Sequence, residues 1–336
     1  GGGSAFARNN LKSVLANESL TLDEFNTLRL ADVNELSAEQ IGKLKNIREA
    51  VPKIDSNTVI QKTIPFEDIG KYIGDDGYST IRGYIARYDD VSHIHGYDNV
   101  VESSRLDYTI NSDIRPYPEG GNAYGYIKFM TDDVDRIGIP YGTEFGGGNT
   151  DPAPCTRNGF TGARNGEVIP EWTVDGNLEP IEGAELHRVI DSEDSIVAIF
   201  DGEHFREVKK MIKNGKYAYY KGNEYKFSRD ADGNYIIITS DLKKTDCTFK
   251  DKYNTGVYSK LVNISDVDEI YKIATYGKVN EERVSIIKEK NGEYLVSTND
   301  CKIGEKLKLD RVDKYAYEGW LNSNIVKLDE EKQVIK

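Results

Sequence analysis

Met211–Asp241 reads MIKNGKYAYYKGNEYKFSRDADGNYIIITSD, and this stretch decides the architecture. Asn214-Gly215, Gly222-Asn223 and Asp232-Gly233 tolerate positive φ, and each is flanked by Tyr, Ile or Val, the pattern of successive β-hairpins. Asn291-Gly292 continues the series. Residues 225–241 and 284–300 align without a gap and share Gly233/Gly292, Tyr235/Tyr294, Thr239/Thr298 and Asp241/Asp300. One hairpin design is used twice, and duplication and convergence both account for the match. Between the copies, Ser265–Tyr276 reads as a helix. Met211 makes residues 211–336 read as a small protein with its own start; the other methionine, Met130, lies inside a candidate strand.

Working outward, proline marks the same seam near Lys210 and Met211. All nine prolines lie between Pro52 and Pro180, so the middle of the chain turns on Gly, Pro and Asn while the end turns on hairpins without proline. At 336 residues the chain is long enough for two or three cores. Charge divides there too. Residues 211–336 carry 23 Lys+Arg and 21 Asp+Glu, which leaves 21 against 36 of the totals of 44 and 57 for residues 1–210, or +2 against -15. So acidic a first part is a poor holder of a phosphate backbone, and nucleic acid is an unlikely partner. Opposite charge also suits two surfaces that associate. No apolar run approaches the roughly 20 residues that span a bilayer, so no membrane is expected. Gly1-Gly2-Gly3-Ser4 reads as a linker remnant rather than a signal peptide, so export would use a region not present. Cys155, Cys247 and Cys301 are isolated, which argues against disulfides and structural zinc; no metal is expected.

The expected fold class is α+β, in three segments. Residues 1–55 hold a linker and a helical hairpin, since Thr21-Leu-Asp-Glu24 and Ser37-Ala-Glu-Gln40 are capping boxes and Ile41, Leu44, Ile47 and Val51 recur at helical spacing before Pro52. Residues 56–210 form a mixed α/β domain with short strands, at Thr80–Tyr88, Tyr124–Met130, Val168–Val174, Glu185–Ile190 and Ser195–Phe200, and long Gly/Pro-rich loops. Residues 211–336 form a separate hairpin-rich, mostly antiparallel β domain with one helix.

Loops as long as Thr150–Gly166 are uncommon unless they bind something. Arg82-Gly83 inside an apolar strand leaves room for an anion gripped by the guanidinium, although a strand arginine paired with an acidic neighbour is the plainer reading. In Thr156–Trp172, Arg157 and Arg164 each precede Asn-Gly, and Glu167 and Glu171 follow; the carboxylates suit general-base work or support of a cationic centre. A plain surface loop is the alternative. His93 and His95 have strand spacing that puts both on one face, without a third metal ligand nearby, and His187 and His204 are single.

Together, the Leu20–Val51 helices, Ile81-Arg-Gly-Tyr84, Ser103-Ser-Arg-Leu-Asp-Tyr108, Ile137-Gly-Ile-Pro-Tyr-Gly142, Asp151-Pro-Ala-Pro154, and Asn158-Gly-Phe-Thr161 running into Gly166-Glu-Val-Ile-Pro-Glu171 resemble ADP-ribosyltransferase-like toxin domains of bacterial polymorphic toxins, and domains in some phage minor head proteins. The resemblance covers about Leu20–Phe205. It implies NAD as substrate, Arg82 as the early-strand arginine, and Glu171 or Glu167 as the late glutamate that supports the oxocarbenium centre. It also implies Tyr84, Phe160, Thr161 and Arg164 as residues around NAD. The family's Ser-Thr-Ser strand is absent, with Phe160-Thr161-Gly162 at its place. It further implies that residues 211–336 resemble the immunity protein that follows such toxins, a cytoplasmic partner that blocks the site, while the toxin is delivered to a target cell and modifies an unidentified macromolecule. A nuclease toxin using His93, His95 and Arg164, and a non-enzymatic phage or cell-surface assembly module, stay open beside it.

Overall fold

The structure, a computed structural model, describes residues 3–208 and 211–336; Gly1 and Gly2 of the expected linker, and Lys210 at the expected seam, lie outside the described residues. The chain divides into two compact units, Gly1–Lys209 and Lys210–Lys336. The class is α+β, and among the described residues no helix is long and apolar enough to cross a membrane.

The first unit opens with a π-helical turn, Ala7–Leu11, running into α1 (Lys12–Asn17), then α2 (Leu22–Leu30) and α3 (Ala38–Glu49). Both expected capping boxes form, Thr21 with Glu24 and Ser37 with Gln40, so orphan donors at each helix start are met reciprocally. The remaining elements are β1 (Ile60–Pro65), β2 (Tyr84–Arg87), α4 (Tyr88–Val91), α5 (Tyr97–Ser104), β3 (Ala123–Phe129), β4 (Ile137–Gly138), β5 (Trp172–Val174), β6 (Glu185–Ile190), β7 (Glu193–Phe200) and β8 (Phe205–Glu207). They form one antiparallel sheet in the order β4-β5-β2-β1-β3-β6-β7-β8.

Strand alternation gives this sheet two unlike faces. Ile60, Ile64, Ile85, Ile127, Phe129, Trp172 and Leu186 turn to one side and share a core with Leu44 and Ile47 of α3. Each fully buried aliphatic side chain there contributes roughly 1.5–3 kcal/mol. The register Thr63↔Tyr126↔His187, Gln61↔Ala86, Tyr84↔Thr173 and Val189↔Asp194 puts tyrosines and polar groups on the other side. There Tyr97, Val100 and Val101 of α5 make a second core with Tyr124, Tyr126 and Val189.

Three expectations in this unit are corrected. The strand expected from Thr80 begins at Tyr84, because Gly83 adopts φ +87° and Ile81 bridges Leu178 instead. The strand expected over Val168–Val174 is confined to β5, since Pro170 bridges Phe160 in the preceding loop and has no N–H to give a ladder. His93 and His95 lie between α4 and α5, not on a strand.

The second unit comprises β9 (Gly215–Tyr220), β10 (Asn223–Arg229), β11 (Tyr235–Thr239), β12 (Tyr258–Leu261), β13 (Glu269–Val279), β14 (Glu282–Lys290), β15 (Glu293–Thr298), α6 (Cys301–Lys306), β16 (Asp310–Asp313), β17 (Ala316–Asn322) and β18 (Lys327–Val334). The helix expected at Ser265–Tyr276 is instead a 3-10 turn, Ile264–Asp266, and most of β13, whose buried Tyr271, Ile273, Thr275 and Val279 alternate with period two. The described α-helix of this unit is α6.

The twice-used hairpin extends into a tandem repeat. β11 pairs β12 at Ile236↔Leu261 and Thr239↔Tyr258, and β15 pairs β17 at Leu295↔Trp320 and Thr298↔Tyr317. Subtracting 236 from 295, or 261 from 320, leaves 59. The same offset relates the 3-10 turns Ile264–Asp266 and Ser323–Ile325, and the caps Asp241 and Asp300. It also relates buried Tyr225, Phe227, Ile237 and Val267 to buried Val284, Ile286, Val296 and Val326. Convergence on a hairpin would not carry the offset through two further strands, a turn and a core, so duplication accounts for it. β13 serves both copies: Glu269–Ile273 pairs β9, and Tyr276–Val279 pairs β14.

Among the described residues, no core cluster draws from both units. Calorimetry of the chain should therefore resolve two transitions. Leu44→Ala should destabilise the first unit by about 2–5 kcal/mol and leave the transition of residues 211–336 in place; one shared transition that moves as a whole would contradict separate cores.

Candidate functional site

Two arginines on the N-terminal helices shape the loop from Thr150 to Glu171. Arg29, four residues after buried Phe25, donates from Nη1 to the Thr161 carbonyl at 2.9 Å and from Nη2 to that of Ala163 at 3.0 Å. Arg48, four after Leu44, donates from Nε to Gly159 O at 2.9 Å and from Nη2 to Glu171 O at 2.8 Å, while its guanidinium stacks 4.2 Å from the Trp172 ring centroid. Both side chains are buried, and burial lowers each pKa only to about 10, so both stay charged at neutral pH. Gly159 is obligatory at this contact: its φ is +87°, and a Cβ would stand 2.7 Å from Arg48 Nε.

Held this way, the loop walls a cavity of about 750 Å³ on the polar face of the sheet. The volume lies in the usual range for ligand sites. Tyr84, Asp151, Cys155, Thr161, Gly162 and Glu171 line it. The Tyr84 hydroxyl donates to Asp151 Oδ2 at 2.5 Å, accepts from Asn149 Nδ2 at 3.0 Å, and lies 3.5 Å from Cys155 Sγ. Burial, then Asp151, push the phenol pKa far up, so Tyr84 stays protonated; burial also raises the Cys155 thiol, which argues against a resting thiolate.

Glu171 is the group without a commitment. Its N–H donates to Gly159 O at 2.9 Å and its carbonyl takes the Arg48 bond, yet among the described residues no donor meets its carboxyl. Burial pushes its pKa up to about 7; Arg48 pulls it down and Asp151 adds to the rise. Deep among protein atoms but facing the cavity, it changes charge at neutral pH.

The structure gathers Tyr84, Thr161 and Glu171 of the expected residues at this cavity and disperses the rest. Thr161 donates its hydroxyl to Ser103 O at 2.6 Å. Phe160 is fully buried in the core against Phe25 and Phe6, so it has no surface for a ligand. Arg82 is exposed and absent from the cavity wall, because Gly83 turns the chain before β2. Arg164 is exposed and forks onto Glu102 through two bonds of 2.7 Å. Glu167 is bonded to His93 at 2.8 Å, away from the cavity wall. Asp151 and Arg48 escape sequence reading, although Arg29 and Arg48 do carry a signal: each sits four residues after a buried apolar side chain, on the inward stripe. Among the described residues no group of three or more His, Cys, Asp or Glu is placed to hold a metal.

A family described as Uncharacterised conserved protein UCP033725 matches residues 212–336, which makes the second unit similar to that family. No curated protein and no solved structure matches the chain.

Because Glu171 binds its proton more tightly folded than unfolded, its contribution favours folding below about pH 4.5 and is lost as pH rises to about 7. Glu171→Gln should remove that dependence and leave the first unit more stable than the parent above pH 7, by about 3 kcal/mol. Urea midpoints of both proteins between pH 4 and 8 check this; parallel curves would show that Glu171 titrates normally.

Proposed function

We propose that the first unit is an NAD-using toxin domain, cleaving the bond between nicotinamide and ribose and passing the ADP-ribosyl group to an acceptor or to water, and that the second unit is its neutralising partner. The observation that carries this reading is the uncommitted, desolvated Glu171 carboxyl in a cavity of about 750 Å³. As the glycosidic bond breaks, nicotinamide leaves neutral with the bonding pair and the ribose carbon becomes an oxocarbenium centre. An ionised Glu171 stabilises that positive charge in a site with little water, where electrostatic support is strongest. Water or an acceptor then attacks the same carbon and loses a proton. Tyr84, held by Asp151 and Asn149, supplies a fixed wall beside it.

The fit departs from the family pattern: the Ser-Thr-Ser strand is absent, and Phe160, Arg164 and Glu167 lie off the cavity wall. Arg82 is off the wall, and the arginine on it is Arg105, whose Nε and Nη2 meet Asp107 and whose Nη1 meets Gly162 O. The contrast of -15 and +2 between the two parts of the sequence supports a neutralising pair drawn together by charge.

Residues 1–209 incubated with NAD should release nicotinamide at a rate that rises with pH through about 7. Glu171→Gln should lower that rate by about 10²-fold or more, His93→Ala should not, and residues 211–336 added in trans should inhibit at one-to-one stoichiometry. Nucleic-acid cleavage without nicotinamide release would replace this reading with a nuclease, and neither activity would leave a binding module.

A further inference from the structure

A second cavity of about 220 Å³ lies on the same face of the sheet and shares Gln61, Thr63, Val91 and Ser104 with the wall of the larger one. Tyr124, Tyr126 and Val189, all buried, come from adjacent strands, and Val91 and Val100 come from α4 and α5. Its wall is about as polar as it is apolar: beside Gln61, Thr63 and Ser104 it carries Ser92, His95, Ser192 and Asp194. Tyr126 cannot swing, because its ring stacks on His187 at 4.3 Å and 11° and its hydroxyl donates to Asp194. His187 is in turn clamped, Nδ1 to Asp194 at 2.6 Å and Nε2 to Glu185 at 2.9 Å. This leaves a slot with rigid aromatic and aliphatic surfaces, a polar edge and a fixed carboxylate. The volume falls below that of a whole ligand site, which suits a compartment rather than a site of its own.

We propose that this annex holds a planar nitrogen heterocycle, the ring end of a ligand whose remainder occupies the larger cavity. The Tyr124, Tyr126 and valine surfaces match the faces of a ring, and Asp194, the serines, Gln61 and Thr63 match its N–H and ring-nitrogen edge. The inference deepens the NAD reading and rests on it for the rest of the ligand; ring binding itself does not require that the bond be cleaved.

Ser92 is exposed and lines the annex, so a large side chain there plugs it from outside without entering the core. Adenosine and nicotinamide, titrated separately into residues 1–209 by calorimetry, test the proposal, and the separate core of this unit justifies its use alone. At least one should bind with one-to-one stoichiometry, and Ser92→Trp should weaken it tenfold or more, Ser92→Phe less. Leu22→Trp, at an exposed helical position, should change nothing. Ribose 5-phosphate, which has no aromatic ring, should be indifferent to all three variants. Failure of both rings to bind, or equal binding by parent and both Ser92 variants, overturns the annex. Nicotinamide release from NAD that the plugs leave untouched would retain the reaction and remove the annex; plug-sensitive ring binding without any release would do the reverse.

Discussion

The first unit depends on two buried guanidinium groups meeting backbone carbonyls. A loop with so many glycines has little reason to hold one conformation, since each glycine loses more freedom on folding than any other residue. Arg29 and Arg48 offset that loss by binding the carbonyls of Thr161, Ala163, Gly159 and Glu171 from inside the protein. Out of water such charge-assisted bonds are strong, and leaving one partner unmet is costly. The cavity wall and the position of Glu171 therefore follow from α2 and α3, elements that line no part of the cavity.

The sheet adds a division of labour. One face is apolar and closes against the helices, so it supplies stability. The other carries Tyr84, Tyr124, Tyr126 and His187 and is covered less fully, so it leaves two cavities. Antiparallel sheets often differ in this way between faces. Here the unlike face is enclosed, which desolvates Glu171 and brings its titration to neutral pH.

The second unit solves a different problem. A single copy of its repeat has only a small apolar set, around Tyr225, Phe227 and Ile237 in one case and Val284, Ile286 and Val296 in the other. Sharing β13 joins the two copies through one continuous strand, and β18 then pairs β13 along its opposite edge. The repeats differ where turns can absorb a change: the five residues Ala231 and its neighbours Asp230–Asn234 in the first hairpin become Asn291-Gly292 in the second, with a bulge between Ile286 and Lys288 restoring the register.

Local chemistry was legible in the sequence. Capping boxes, Asn-Gly turns and period-two runs act within a few residues, so the α2 and α3 starts, β6, and the hairpins around Gly233 and Gly292 could be read directly. Where two local patterns competed, the reading failed. Ser265–Tyr276 reads as a helix, but Tyr271, Ile273 and Thr275 find partners on β9 and β18 and become strand. The site was only half legible for the same reason. Glu171 could be named as a carboxylate beside a glycine-rich loop, whereas the exclusion of Phe160, Arg164 and Glu167 from the cavity was decided by contacts far away in the chain. Residue type and spacing determine what a side chain can do; burial and its partners across the fold, which no short stretch of sequence contains, decide whether it faces a ligand, a carboxylate or the core.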